Sequence, residues 1–283
     1  MHNNFLAVTF ALVSAATMAA GTVWRHRIMR AGTAEGENND SPMQSIKRPA
    51  WWASMGVAFL AYGFQAAALA FGSLLVVQPV LALSLMLTLL FSAWAEKRHM
   101  QTAEAFWAVA LTASVGGVVV LGRPLPGTRD PATWEWVTVV GTAVAIILLA
   151  YATASRRPPA GKALIFGAAC GAMYGYQAVF SKVAVDDFVD GGVLGLVTSW
   201  QLWAMLLAAT AGTVVQQYAF AAGNLATSLP ASKIVEPLVA FSLGLFLLGE
   251  SFRVDSVLGW VAVGTSIGVM LVSAAILTRV SIK

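Results

Sequence analysis

The stretch 65–79 reads QAAALAFGSLLVVQP, and 151 residues later the stretch 216–230 reads QQYAFAAGNLATSLP. Gln65 stands opposite Gln216, Ala68 opposite Ala219, Ala70 opposite Ala221, Gly72 opposite Gly223, Leu74 opposite Leu225 and Pro79 opposite Pro230. Each copy is an apolar run broken only at Gly72-Ser73 or Gly223-Asn224, a step so short that the flanking helices must be hairpin neighbours. Each copy then places a proline seven residues beyond its glycine. Small residues are frequent in membrane helices, so a Gly/Ala-rich chain matches itself by chance. The shared positions of glycine and proline, with a repeat-like span before and after each copy, argue against chance. The pattern predicts two halves of four spans joined by one, a 4 + 1 + 4 repeat whose halves lie in opposite orientations.

Composition supports that frame. Of 283 residues, 58% are apolar and 11% charged, with a mean hydropathy of +0.75. A soluble domain carries about 25% charged residues. Soluble enzymes, nucleic-acid binders and disulfide-rich secreted domains are excluded together. Cys170 is the single cysteine, so neither an internal disulfide nor a thiolate cluster is available. The fold class expected is all-α, a polytopic membrane bundle whose surroundings are the lipid bilayer.

Nine segments approach the ~20 residues a helix needs to cross the hydrocarbon layer: 5–24, 51–71, 74–95, 102–122, 136–153, 163–183, 196–219, 225–248 and 256–277. Residues 1–135 then form the first repeat, 136–162 the linking span, and 163–283 the second repeat. Twelve of the 17 basic residues fall on one side of nine spans, among them Arg25, Arg27, Arg30, Lys47, Arg48, Lys97, Arg98, Arg156, Arg157, Lys162 and Lys283. Arg123, Arg129, Lys182 and Arg253 fall opposite, beside the acidic Asp186, Asp187 and Asp190, read here as a solvated loop. The bias places the N-terminus outside and the C-terminus in the cytoplasm of a plasma (inner) membrane. The polar segment within 25–50 reads as a flexible cytoplasmic loop. Trp24, Trp51, Trp52, Trp134, Trp136 and Trp260 sit at span ends and read as interfacial anchors.

Ionisable residues at bilayer depth are costly and point to function. Lys233 and Glu236 share a face of span eight, between Pro230 and Pro237, whose rings free backbone carbonyls of the preceding turn. The plain alternative is a self-neutralised pair that locks helix packing. The amides Gln65, Gln78, Gln177, Gln216 and Gln217, with Tyr174, are candidate solute contacts, interhelical hydrogen bonding being the bland account of each. Pro79, Pro230 and Pro237 are the candidate helix breakers. His2, His26 and His99 all lie outside the spans, and no nucleotide loop or nucleophile-base set is present. No enzyme activity, metal site or cofactor is therefore expected.

Taken together, these residues resemble the drug/metabolite transporter superfamily (EamA-like), small multi-span carriers with inverted repeats. They most resemble its NIPA-like magnesium-transporter branch. That branch is similar in its basic loop after span one, its Trp-Trp pair (here Trp51-Trp52) and its tract from Gln65 to Pro79. The Cys170 to Lys182 spacing, Gln216 to Asn224-Leu225, and Leu248-Gly249-Glu250 also fit. The resemblance implies transport by alternating access, the use to which inverted repeats with broken helices are put. This chain departs from the magnesium branch in carrying Tyr62 where that branch has a carboxylate, and Gln65 for its asparagine. Mg²⁺ takes oxygen ligands in near-octahedral geometry, usually including carboxylates. The expectation is a carrier of a small metabolite or drug-like solute. Lys233 would meet an anionic group, Glu236 would couple protons, and the glutamines would supply neutral hydrogen bonds. The alternatives are a divalent-cation carrier and a non-transporting scaffold. Beyond lipid and solute or ion, the partner to test is a second copy in a homodimer.

Overall fold

The structure, a computed structural model, describes residues 3–34, 49–222 and 225–280. The expected loop over 35–48 (Lys47 and Arg48 with it), the tip Gly223-Asn224 and Lys283 lie outside the described residues. So do the side chains of Arg25, Arg27, Arg30, Trp51 and Trp52.

Among the described residues there are nine helices: α1 (Asn4–Ala34), α2 (Pro49–Phe71), α3 (Leu74–Ala95), α4 (Thr102–Gly122), α5 (Thr133–Ala154), α6 (Pro159–Thr198), α7 (Trp200–Ala221), α8 (Leu225–Phe246) and α9 (Val257–Val280). Two short strands, β1 (Pro124–Leu125) and β2 (Ser251–Phe252), pair antiparallel. Each expected span falls on a helix. Seven helices (α1, α3 to α6, α8 and α9) are long and apolar enough to cross a membrane, and α2 adds the shorter apolar run Phe59–Phe71. The chain is a helical membrane protein.

Three expectations need correction. Helix α1 continues through residues 25–34, because RHRIMRA (25–31) contains no breaker, so the loop begins later than composition suggested. Helix α6 runs on to Thr198 and turns only at Gly192, whose φ of 62° suits glycine. Asp186, Asp187 and Asp190 are therefore helical rather than in a solvated loop. Asp186 accepts from Lys182 Nζ at 2.7 Å and Asp187 from Ser199 Oγ at 2.5 Å, so their charges are engaged locally. Trp136 is buried instead of anchoring at an interface. It stacks on Phe180 at 5.8 Å and meets Trp200 edge-on at 5.1 Å, tying α5 to α6 and α7.

The packing partners recur in the two halves. Helix α1 packs on α2 and α3 as α6 packs on α7 and α8, while α3 meets α4 as α8 meets α9. Between halves the main seam is α4 against α9, with α3 on α8, α2 on α6 and α5 resting on α6. In lipid the hydrophobic effect does not draw helices together, so close contact between small residues must. Helix α1 buries Ala7, Ala11, Ala15 and Ala19 completely, one per turn. Helix α6 presents Gly167, Gly171 and Gly175 at the same interval. A methyl group at Gly167 or Gly171 would stand 2.4 Å from the carbonyl oxygen of Ser228 or Ser232 on α8, so backbone lies on backbone there.

Hydrogen bonds gather alternate connections at one end of the bundle. The Asn3 N–H donates to the Phe71 carbonyl at 3.0 Å, and Asn4 Nδ2 to the Pro124 carbonyl at 3.3 Å. Strand β1 pairs with β2, and Arg129 donates to the Phe246 carbonyl at 2.9 Å. The chain start, the α2–α3 joint, and the α4–α5 and α8–α9 connections therefore share an end.

Candidate functional site

Helix α8 carries the polar chemistry of the second half. Pro230 and Pro237 both lie inside it, and each lacks the N–H that would close a helical bond. Between them Lys233 Nζ donates to Glu236 Oε2 at 2.9 Å, one turn along. Counting ~1.5 Å per residue, Lys233 stands ~12 Å from one end of α8 and ~20 Å from the other. Even at that depth its side chain keeps 39% of its surface accessible, and that of Glu236 25%. The pair is therefore only partly covered by the neighbouring helices.

Helices α6 and α7 supply the walls. Ser232 Oγ lies 3.8 Å from Cys170 Sγ on α6. One turn further, Tyr174 donates its hydroxyl to Gln216 Oε1 of α7 at 3.3 Å and lies 3.5 Å from Thr213 Oγ1. Gly212 on α7 leaves room for the Tyr174 ring, which would come within 3.0 Å of a methyl group there. These contacts join α6 to α7 and to α8. The glycine stripe of α6 makes this geometry: only with Gly171 and Gly175 against the carbonyls of α8 can Cys170 and Tyr174 stand this close to Lys233.

Of the residues picked out by sequence, Lys233, Glu236, Tyr174 and Gln216 come together around one locus. Gln217, the neighbour of Gln216, points outward and is exposed, and Gln177 is half-buried. Gln65 and Gln78 are buried on α2 and α3 in the first half. Gln65 and Gln216, matched in the repeat, do not sit on packed helices; both α2 and α7 rest on α6 instead. None of the three prolines breaks its helix: α3 remains helical through the buried Pro79, and α8 through Pro230 and Pro237.

Two features went unread. The Gly167, Gly171, Gly175 interval is visible in the sequence as a small residue every fourth position. A groove of about 430 Å³ between α5, α6 and α7, lined by Tyr151, Lys162, Phe166 and Tyr218, is not, because it depends on how three helices diverge. The Phe166 and Tyr218 rings meet at 5.7 Å along it. Phe166, one turn before Cys170 on α6, packs with it in a small apolar cluster beside the groove.

No family model matches the chain, and no solved structure matches it. A Corynebacterium glutamicum protein, uncharacterized protein Cgl0250/cg0304, is 48% identical to it over 282 residues, covering 99% of this chain and 97% of that protein.

Proposed function

The chain belongs to the family of that Corynebacterium protein, and on that premise we propose that it is a multi-pass carrier moving a small anionic organic solute by alternating access. The observation that carries the reading is the Lys233–Glu236 ion pair, deep in a helix that carries two prolines and only partly covered by its neighbours. An incoming carboxylate or phosphate would replace Glu236 on the lysine ammonium, with Tyr174 and Gln216 offering neutral hydrogen bonds. Lys162 in the groove would draw the same charge toward the site. The reading is of transport, not of an enzyme.

Several features support an inverted repeat of the drug/metabolite transporter kind. Helices α3 and α8 are both 22 residues long and begin 151 positions apart. The packing order of the first four helices recurs in the last four, with α5 outside both sets. The gathering of alternate connections at one end is what nine crossings require, and it is the end poorer in basic residues. That supports an N-terminus outside and a cytoplasmic C-terminus in a plasma (inner) membrane. A magnesium carrier would need several converging carboxylates, and between residues 163 and 183 and 225 and 248 the sequence holds Glu236 alone.

The test uses purified protein in proteoliposomes preloaded with an isotope-labelled mixture of carboxylates, amino acids and phosphate esters, with efflux followed by mass spectrometry. A parallel set traps a fluorescent Mg²⁺ indicator. Lys233→Ala should lower protein-dependent efflux at least tenfold while leaving the thermal midpoint in detergent near that of the parent. Full efflux by both Lys233→Ala and Glu236→Gln sinks the site assignment. Protein-dependent Mg²⁺ entry that Glu236→Gln abolishes replaces the organic solute with the cation.

A further inference from the structure

A second charged cluster lies at the end of the bundle where the connections gather, away from Lys233. It is built on the tight joint between α2 and α3. On one side of Gly72-Ser73, Lys182 Nζ of α6 donates to the Leu69 carbonyl in the last turn of α2 at 2.8 Å. On the other side, the first amides of α3 donate to the carboxylate of Glu250: Leu74 N–H to Oε1 at 2.7 Å and Leu75 N–H to Oε2 at 3.0 Å. A cation thus sits on the negative end of one helix and an anion on the positive end of the next, each matched to the local dipole. Both charges belong to the second half and both helices to the first. The joint is a latch between halves.

The sequence builds this latch deliberately. Gly249 has a φ of 69°, which turns the chain after α8 so that Glu250 points back at α3. Gly244 leaves space for the carboxylate, whose Oε2 would lie 3.0 Å from a methyl group there. Glu250 is 3% exposed. Among the described residues no cation lies within ion-pairing distance of it, since Lys182 is paired with Asp186 at 2.7 Å. The groups that face it are Lys182 and Asp186 from α6 and the uncharged first turn of α3. Arg129, packed beside Gly249, is engaged with Glu135 and the Phe246 carbonyl. A buried carboxylate held by two amide donors and no ion-pair partner is readily neutralised by a proton.

We propose that Glu250 is the proton-binding residue of the carrier: when it takes up a proton, the α8–α9 connection lets go of α3 and this end of the bundle opens between the halves. The proposal rests on the transport reading and supplies its coupling ion. A proton arriving from the aqueous phase on this side converts one carboxylate oxygen into a hydroxyl and neutralises the group, so both amide donors lose their charged acceptor. Burial, against the weaker help of the two amides and Lys182, pushes the Glu250 carboxyl up to about 7, so the change falls at ordinary pH. Beneath the latch lie Gln65, one turn before Leu69, and Gln78, one turn after Leu74. Both are buried. Opening would uncover these two amides to an incoming solute.

The test reads the latch without a solute. Purified full-length protein in lipid nanodiscs is titrated between about pH 5 and pH 9, following the C=O stretch of protonated carboxyls by infrared difference spectroscopy and the hydrogen exchange of the Leu74 and Leu75 amides, corrected for intrinsic rate. The expected result is a carboxyl band with a midpoint near 7, with exchange at these amides rising at least tenfold on its acidic side. Glu250→Gln should lose the band and hold exchange high at every pH. Lys182→Met, which removes the facing ammonium and leaves Asp186 unpaired, should move the midpoint upward. Amides insensitive to pH in the parent, or a Glu250→Gln protein that keeps the parent's response, overturn the proposal; if Glu250→Gln does not fold, an unmoved midpoint in Lys182→Met does so. A latch that titrates as expected in a protein that moves no solute sinks the transport reading instead, so the two failures are separable.

Discussion

Helices α3 and α8 have the same length, the same place in their halves and a proline at the same step, yet they have been put to different use. At the positions where α8 has Lys233, Glu236 and Pro237, α3 has Ala82, Leu85 and Met86. Helix α3 buries Leu74, Leu75, Val76, Val77 and Val80 nearly completely, and α8 buries far fewer large side chains. Helix α1 offers α3 alanines, and α6 offers α8 glycines. The first half therefore holds its helix by side-chain packing, while the second holds its helix by backbone contact and leaves side chains free for chemistry.

Three substitutions press on that contrast. The largest stability effect is expected in the first half. Leu75→Ala should cost about 2–5 kcal/mol, the range for truncating a well-packed leucine, read as a lower midpoint of denaturation in mixed micelles. A loss there no larger than for Lys233→Ala would remove the distinction between the helices. Next comes the stripe. Gly171→Ala forces a methyl group onto the Ser232 carbonyl and should cost about 1–3 kcal/mol as overpacking, whereas Ala15→Gly on α1 should cost about 1 kcal/mol through helix propensity. Equal penalties would mean that the two stripes pack alike. The smallest effect belongs to Tyr174→Phe. It removes the hydroxyl that meets Gln216 and should cost about 0.6 kcal/mol in stability, a typical interhelical hydrogen bond. Its stronger signature is a several-fold rise in the KM for efflux with little change in kcat; the opposite split would place Tyr174 outside the solute site.

Much of this was legible in the sequence, for physical reasons that can be named. Apolar runs of membrane-spanning length announce helices because backbone groups in lipid have no other partner, and the nine helices fall where the runs do. Proline and the hairpin glycine mark register, so the match of α3 with α8 was readable. Lys233 and Glu236 were readable because charge is rare at that depth. The continuation of α6 past residue 183 was not, since Asp186, Asp187 and Asp190 look like a loop until Lys182 and Ser199 are seen to engage two of them. Trp136 looked like an anchor because its burial depends on Phe180 and Trp200, more than 40 residues away in the chain. Glu250 looked like a span-end residue. Its role depends on the α3 amides, 175 residues upstream, toward which Gly249 turns it.

The α4–α9 seam sets the order in which the protein can be finished during its synthesis. Helix α4 ends at Gly122 and its main partner begins at Val257, so the 134 residues between must emerge first. At the usual pace of translation that is roughly ten to thirty seconds. For that interval Gly117, whose place against Ser266 of α9 leaves no room for a methyl group, is without that partner. The nascent first half must wait in the bilayer with its closing surface uncovered until α9 has been made.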